Sequence, residues 1–136
     1  MLLALAVAAC SQSIRREAER ALEVGPHVRA LQVAEQRAAL ATLSSLTCDD
    51  ADVCRVKTAC LQVVTPTLRA LEQKSEAMEH VRAASALDAA PESIEVEKER
   101  ARVLLDAAHD GFEAGKTAVP ACEAALSILE RAAHAK

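Results

Sequence analysis

The segment HVRAASALDAAPESIEVEKERA, residues 80–101, contains the chain reversal on which the fold depends. Residues that favour helix stand on both sides of Ala89-Ala90-Pro91-Glu92. Proline is preferred at the first position of a helix, and a carboxylate in the first turn complements the positive end of the helix dipole. The segment therefore predicts that one helix ends shortly before residue 90 and that the next begins at Pro91.

Apolar residues on both sides of this reversal recur with the period of a helix. The stripe before it contains Val53, Val56, Cys60, Val63, Leu68, Leu71, Met78 and Val81. The stripe after it contains Ile94, Ala101, Leu105, Ala108 and Phe112. We expect Pro66 to bend the first of these helices, Gly115 to end the second, and Thr117 to open a last helix that contains Cys122 and Leu129.

The first third of the chain shows the same periodicity. A helical stripe starts at Ile14 and is interrupted at Gly25-Pro26, where we expect a kink or a short break. The stripe resumes at Val28 and stops near residues 44–46. Thr47 or Asp49 is then a suitable cap for the helix that carries Val53.

Composition agrees with an all-α fold. The 136 residues include only 3 Gly, 4 Pro and 1 Phe, with no Trp or Tyr, which leaves little material for strands. Short connections make consecutive helices antiparallel neighbours. We therefore predict one domain, residues 10–136, folded as an up-down antiparallel bundle of about four helices with a long central hairpin.

Charge and chemistry exclude several classes of function. The net charge of −4 arises from interleaved acids and bases, so no basic surface for nucleic acid is expected. The four histidines are scattered, and no serine or carboxylate pair stands in a catalytic motif. We predict no enzymatic activity, no catalytic residues, no cofactor and no small-molecule substrate.

The chain begins with a short apolar run that ends at a cysteine. Residues 2–9 are all apolar, but this run is too short to span a bilayer as a helix. Its end, Val7-Ala8-Ala9-Cys10, resembles the lipobox of bacterial lipoproteins, in which an aliphatic residue and two small residues precede the modified cysteine. The sequence departs from that family in having no Lys or Arg before the apolar run.

The resemblance implies both a processing step and a location. Residues 1–9 would be a signal peptide removed before Cys10, and the Cys10 sulfur would carry a diacylglyceryl group. Two or three acyl chains give lasting attachment, because each buried CH₂ contributes roughly 0.8 kcal/mol. The implied location is the bacterial cell envelope. Ser11 stands where inner-membrane lipoproteins often carry Asp, which favours the periplasmic face of the outer membrane.

The other four cysteines form an even set that can pair in an oxidising compartment. A reversal near residue 90 brings Cys60 and Cys122 to similar heights, so we predict the disulfides Cys60–Cys122 and Cys48–Cys54. Cys54–Cys122 with Cys48–Cys60 remains possible. Without a C-x-x-C motif, the set predicts neither a metal site nor a redox centre.

The leading hypothesis is a small lipid-anchored helical lipoprotein with a structural or protein-interaction role in the envelope. The alternative is a soluble intracellular helical adaptor or regulator with reduced cysteines, which would bind a partner helix through its alanine-rich faces. A periplasmic metal-sensing bundle is a third and more distant hypothesis.

Overall fold

The computed structural model describes residues 2–25 and 33–135, with side chains described from residue 12 onward. These residues form four α-helices: α1 (Leu2–Glu23), α2 (Val33–Ser45), α3 (Ala51–Ala84) and α4 (Pro91–His134). Within the described ranges there is no strand. The helices pack against one another, which confirms the all-α bundle.

The central hairpin dominates the molecule. Helix α3 has 34 residues and α4 has 44, so α4 alone is about 66 Å long at 1.5 Å per residue. Pro91 occupies the start of α4, and Ala90 before it has extended backbone angles. The reversal predicted at Ala89-Ala90-Pro91-Glu92 is therefore confirmed.

Helix α3 begins after a different cap from the two that were predicted. Asp50, and neither Thr47 nor Asp49, is the cap: its Oδ1 accepts hydrogen bonds from the backbone N–H groups of Asp52 at 2.9 Å and Val53 at 3.2 Å. The prediction of Thr47 or Asp49 is wrong, because the extended backbone of Asp50 aims its carboxylate at these two donors.

The predicted division of the last part of the chain at Gly115 and Thr117 is also wrong. Helix α4 continues through both residues, and no described glycine has a positive φ. Gly115 instead allows close packing against α3, since a Cβ atom there would lie 2.3 Å from Thr67 Oγ1 and 3.2 Å from the Val63 carbonyl oxygen. Thr117 donates its hydroxyl to the Glu113 carbonyl at 2.8 Å inside the helix, so it does not cap a new one.

Helix α1 ends at Glu23 and α2 starts at Val33. Pro26 belongs to residues 26–32, which lie outside the described part, so the kink or short break expected at Gly25-Pro26 stays a prediction. The described residues form four helices, about the number predicted, but the boundaries differ, since the late stripe forms one helix where two were expected.

Helices α1 and α2 pack against one region of the hairpin and leave the other region uncovered. In the base, α1 packs on the first half of α3 and the last half of α4, and α2 packs on α3, around a core whose largest buried members include Val24, Leu43, Val56, Val63 and Val64. We call residues 73–108, which lie beyond the Arg37–Glu72 ion pair between α2 and α3, the arm. In the arm the two helices meet mainly through small buried residues, Ala77, Ala101 and Ala108.

Candidate interaction surface

The structure joins Cys60 to Cys122 and so fastens α3 to α4 inside the base. Both side chains are fully buried, and their Cα atoms are 4.6 Å apart. The Cys60 sulfur also lies 3.8 Å from the carbonyl oxygen of Cys122. This is the pair that the position of the reversal predicted, and the 62 residues between the two cysteines make it a long-range crosslink.

The structure joins Cys48 to Cys54 across the start of α3. Their Cα atoms are 4.9 Å apart, and the capping residue Asp50 lies between them in sequence. Cys48 is exposed and Cys54 is half-buried. The alternative pairing of Cys54 with Cys122 and Cys48 with Cys60 is not the arrangement in the structure.

The N-terminal end of α1 lies at the end of the molecule away from the arm. Ser13 and Ile14 line a small cavity with Asp50 and Val53, which belong to the first turn of α3. Further along α1, Gly25 lies close to Leu126 of α4, so α1 runs toward the arm. Cys10 precedes Ser13 in the same helix, and its side chain lies outside the described residues.

Polar contacts hold α1 against the turn between α2 and α3. Glu17 accepts a hydrogen bond from the backbone N–H of Thr47 at 3.2 Å and pairs with Arg20 at 3.3 Å. Arg20 in turn donates to the hydroxyl of Ser45 at 2.5 Å. The guanidinium of Arg20 is therefore bonded within the bundle. Arg15 is 82% exposed, and it forms an ion pair with Glu19 of the same helix.

Large hydrophobic side chains are exposed on the arm. Within the described ranges, those with more than a third of their surface exposed are Met78, Val81, Leu87, Val96, Val103 and Leu105. All six lie between residues 78 and 105. The clustering is notable because soluble proteins rarely leave contiguous apolar surface uncovered unless it binds a partner.

Three of these residues, Met78, Val81 and Leu105, belong to the apolar stripes that the sequence predicts for the hairpin, yet they are 42%, 37% and 40% exposed. The stripe prediction fails here because α2, with 13 residues, is about 20 Å long and cannot cover an α3 of 34 residues. Comparing helix lengths in the sequence would have indicated the uncovered part.

One side of the arm forms an open groove of about 420 Å³ between α3 and α4. Glu76 and His80 line it from α3, and Glu99, Arg100, Val103 and Leu104 line it from α4. Helical spacing places Val96, Arg100 and Val103 along one side of α4, because they are separated by four and three residues. The α4 side of the groove thus combines the apolar Val103 and Leu104 with the charged Glu99 and Arg100, and it faces a polar α3 side.

His80 ties the two helices of the arm together. Its Nδ1 contacts the Glu97 carboxylate of α4, and its Nε2 lies 3.9 Å from Glu76. The side chain is 22% exposed, so His80 is half-buried. His27 lies outside the described residues, and His134 is exposed near the end of α4.

Glu99 and Arg102 form an exposed ion pair beside the groove. Arg102 donates to Glu99 at 2.6 Å and to Asp106 at 3.1 Å. The hydrogen bond from Arg102, followed by its positive charge, lowers the pKa of the Glu99 carboxyl, and the same bond raises the pKa of Arg102. Glu99 is therefore held ionised by its own helix. Of the other two exposed charges in the groove, Arg100 lies 3.7 Å from Glu97 of its own helix and Glu76 lies 3.9 Å from His80 of its own helix.

Among the described residues, no group of three His, Cys, Asp or Glu side chains is arranged to hold a metal ion. None of the described helices combines the length and the apolar character required to cross a bilayer.

Comparison with known proteins found no similarity. No family model, no curated protein and no solved structure matches this chain.

Proposed function

We propose that the protein is a bacterial envelope lipoprotein, anchored through acylated Cys10, whose projecting arm binds another protein. Residues 1–9 are its signal peptide, and the mature helix α1 begins at Cys10. In this proposal the protein has no enzymatic activity and resides on the periplasmic face of the outer membrane. The base is the fixed part of the molecule, and the arm carries the recognition surface.

The distribution of apolar surface is the observation that carries the proposal. The exposed hydrophobic residues lie on the arm, with Leu87 at its tip, while Cys10 belongs to the helix end that lies beyond the first turn of α3. An anchor at one end leaves the other end free to meet a partner some tens of ångströms from the membrane, given 1.5 Å of rise per helical residue.

The cysteine pairs support an oxidising compartment. Cys60 and Cys122 have no solvent-exposed surface, and both pairs have the Cα separations of disulfides. Disulfides persist in the bacterial periplasm and are rare in the reducing cytosol. This arrangement favours the envelope over the alternative of an intracellular adaptor with free thiols.

Acyl labelling tests the anchor directly. We expect a radiolabelled or clickable fatty acid fed to the expressing bacterium to label the wild type and to be lost in Cys10→Ala. Cys48→Ala/Cys54→Ala, which leaves Cys10 in place, is the matched control and should retain the label. Labelling that persists in Cys10→Ala, or an intact mass that retains Met1 without an acyl adduct, would contradict the anchor.

Thiol state separates the two locations. We expect protein isolated under rapid alkylation to show four protected cysteines and to gain four adducts only after reduction. Free thiols at Cys60 and Cys122 in the isolated protein would support the intracellular adaptor instead.

A further inference from the structure

We propose that the groove of the arm binds the same groove of a second copy of this chain. The two arms would form a four-helix bundle about a two-fold axis parallel to the helices. In this bundle α3 of each copy lies against α4 of the other. The inference rests on the interaction role proposed above and names the partner of that surface.

The apolar content of the α4 edge is the first argument. Val96 and Val103, seven residues apart, are 49% and 53% exposed. Ala107, seven residues after Arg100, is half-buried and continues the edge toward the base. A row of this kind suits close packing against another helix, because side chains seven apart lie on nearly one line.

The available area is the second argument. Within the arm, from Val96 to Ala108, the α4 edge is about 20 Å long, and two adjacent helices are about 20 Å wide. The face therefore offers about 400 Å² per copy, which is the size of a weak, concentration-dependent contact. Helix α2 pairs with α3 at Glu72, which precedes the arm.

Charge selects the orientation of the two copies. The contact between His80 and Glu97 places residue 80 of α3 level with residue 97 of α4, so Glu76, one turn earlier in α3, is level with Arg100. A two-fold axis parallel to the helices brings Glu76 of each copy opposite Arg100 of the other. An axis across the helices would instead oppose Glu76 to Glu76 and Arg100 to Arg100, which costs free energy.

This orientation also agrees with a shared membrane. A two-fold axis parallel to the helices places both bases, and hence both Cys10 ends, on the same side of the dimer. Two anchors in one leaflet would raise the effective concentration of the arms without any additional contact.

Sedimentation velocity over a range of protein concentrations tests the pairing. We use the full chain with Cys10→Ser in every sample, so that acylation plays no part in the measurement. We expect a concentration-dependent dimer. Val103→Glu should raise the dissociation constant of this dimer at least about tenfold, because a carboxylate would be buried in an apolar contact. Leu105→Glu is the matched control: Leu105 is 40% exposed on the same arm but does not line the groove.

Charge reversal tests the orientation. Arg100→Glu and Glu76→Arg should each raise the dissociation constant of the dimer. The double variant should return this constant to within about threefold of the original value. Both side chains are about 60% exposed, so the fold should tolerate the changes, which circular dichroism can verify. Rescue by the double variant would distinguish a direct contact from general disturbance of the arm.

Three results would overturn the inference: a monomer at every concentration, a dimer unaffected by Val103→Glu, or equal weakening by Leu105→Glu. Failure of the charge rescue would overturn the parallel arrangement. None of these results depends on acylation, so loss of the anchor in the labelling experiment and loss of the dimer in this one are separable.

Discussion

At the scale of single residues, the two cysteine pairs differ most in the length of chain that they close. Cys60 and Cys122 are separated by 62 residues and Cys48 and Cys54 by 6. In the chain-entropy model, the long loop contributes about 4 kcal/mol and the short loop about 2 kcal/mol to the free energy of unfolding. The crosslink inside the base should therefore dominate.

We expect Cys60→Ala/Cys122→Ala to lower the free energy of unfolding by about 4 kcal/mol and Cys48→Ala/Cys54→Ala by about 2 kcal/mol. Urea unfolding followed by circular dichroism measures both, with each double variant serving as the control for the other. Equal losses would contradict the loop-length argument.

Gly115 is a second residue whose role depends on its neighbour. A Cβ atom there would lie 2.3 Å from Thr67 Oγ1, which is itself held by a 2.7 Å hydrogen bond to the Val63 carbonyl. From the sequence, Gly115 was expected to end a helix. Glycine is common both at helix ends and where two helices pack closely, and only the position of α3 distinguishes these two roles.

We expect Gly115→Ala to lower the free energy of unfolding by about 1–3 kcal/mol through overpacking, even though alanine favours helix. The loss should shrink when Thr67→Ala removes the hydroxyl, a coupling that a double-mutant cycle measures. Gly111→Ala, whose Cβ would lie 3.0 Å from the Ala70 Cβ and the Pro66 carbonyl oxygen, tests the same close packing one turn earlier, and its loss should not depend on Thr67→Ala. A stabilised Gly115→Ala variant would contradict this account of the α3–α4 contact.

At the scale of helices, the start of α4 was easier to predict than the start of α3. Pro91 begins α4 as its chemistry requires, since proline fits the first helical turn and disrupts later ones. The cap of α3 was placed at Thr47 or Asp49 instead of Asp50, because all three residues have suitable side chains. Only the backbone angles of Asp50 decide among them.

Asp50 provides a test of this capping assignment. We expect Asp50→Ala to lower the free energy of unfolding by about 1 kcal/mol, because two backbone donors of the first turn would lose their acceptor. Asp49→Ala, at an exposed position one residue earlier, should change it by less than about 0.5 kcal/mol. Thermal unfolding of the two variants side by side makes the comparison, and a larger loss in Asp49→Ala would reassign the cap.

At the scale of the whole molecule, periodicity was enough to predict the fold class and the hairpin. It could not predict that α1 and α2 pack on the base of the hairpin and leave the arm uncovered. Periodicity reports which side of a helix is apolar and says nothing about how far a neighbouring helix reaches. Met78 and Leu105 therefore looked like core residues, although the structure leaves both exposed on the arm. The candidate surface was missed for the same reason.

The contrast between base and arm predicts two levels of local stability. The base has a core of buried valines and leucines and the Cys60–Cys122 crosslink, whereas the arm buries mainly Ala77, Ala101 and Ala108 between its helices. Each alanine removes much less apolar area from water than a valine or leucine does. The arm should therefore open at a lower free energy than the base.

Native-state hydrogen exchange measures this difference. In dilute protein, we expect amides of residues 75–83 in the arm to exchange faster than those of residues 56–64 in the base, although both stretches belong to α3. If the arms pair as proposed, arm protection should rise with protein concentration in the wild type and stay constant in Val103→Glu, because only pairing buries the groove. Equal protection along α3 at low concentration would mean that the interhelical contacts of the arm are stronger than its alanine core implies.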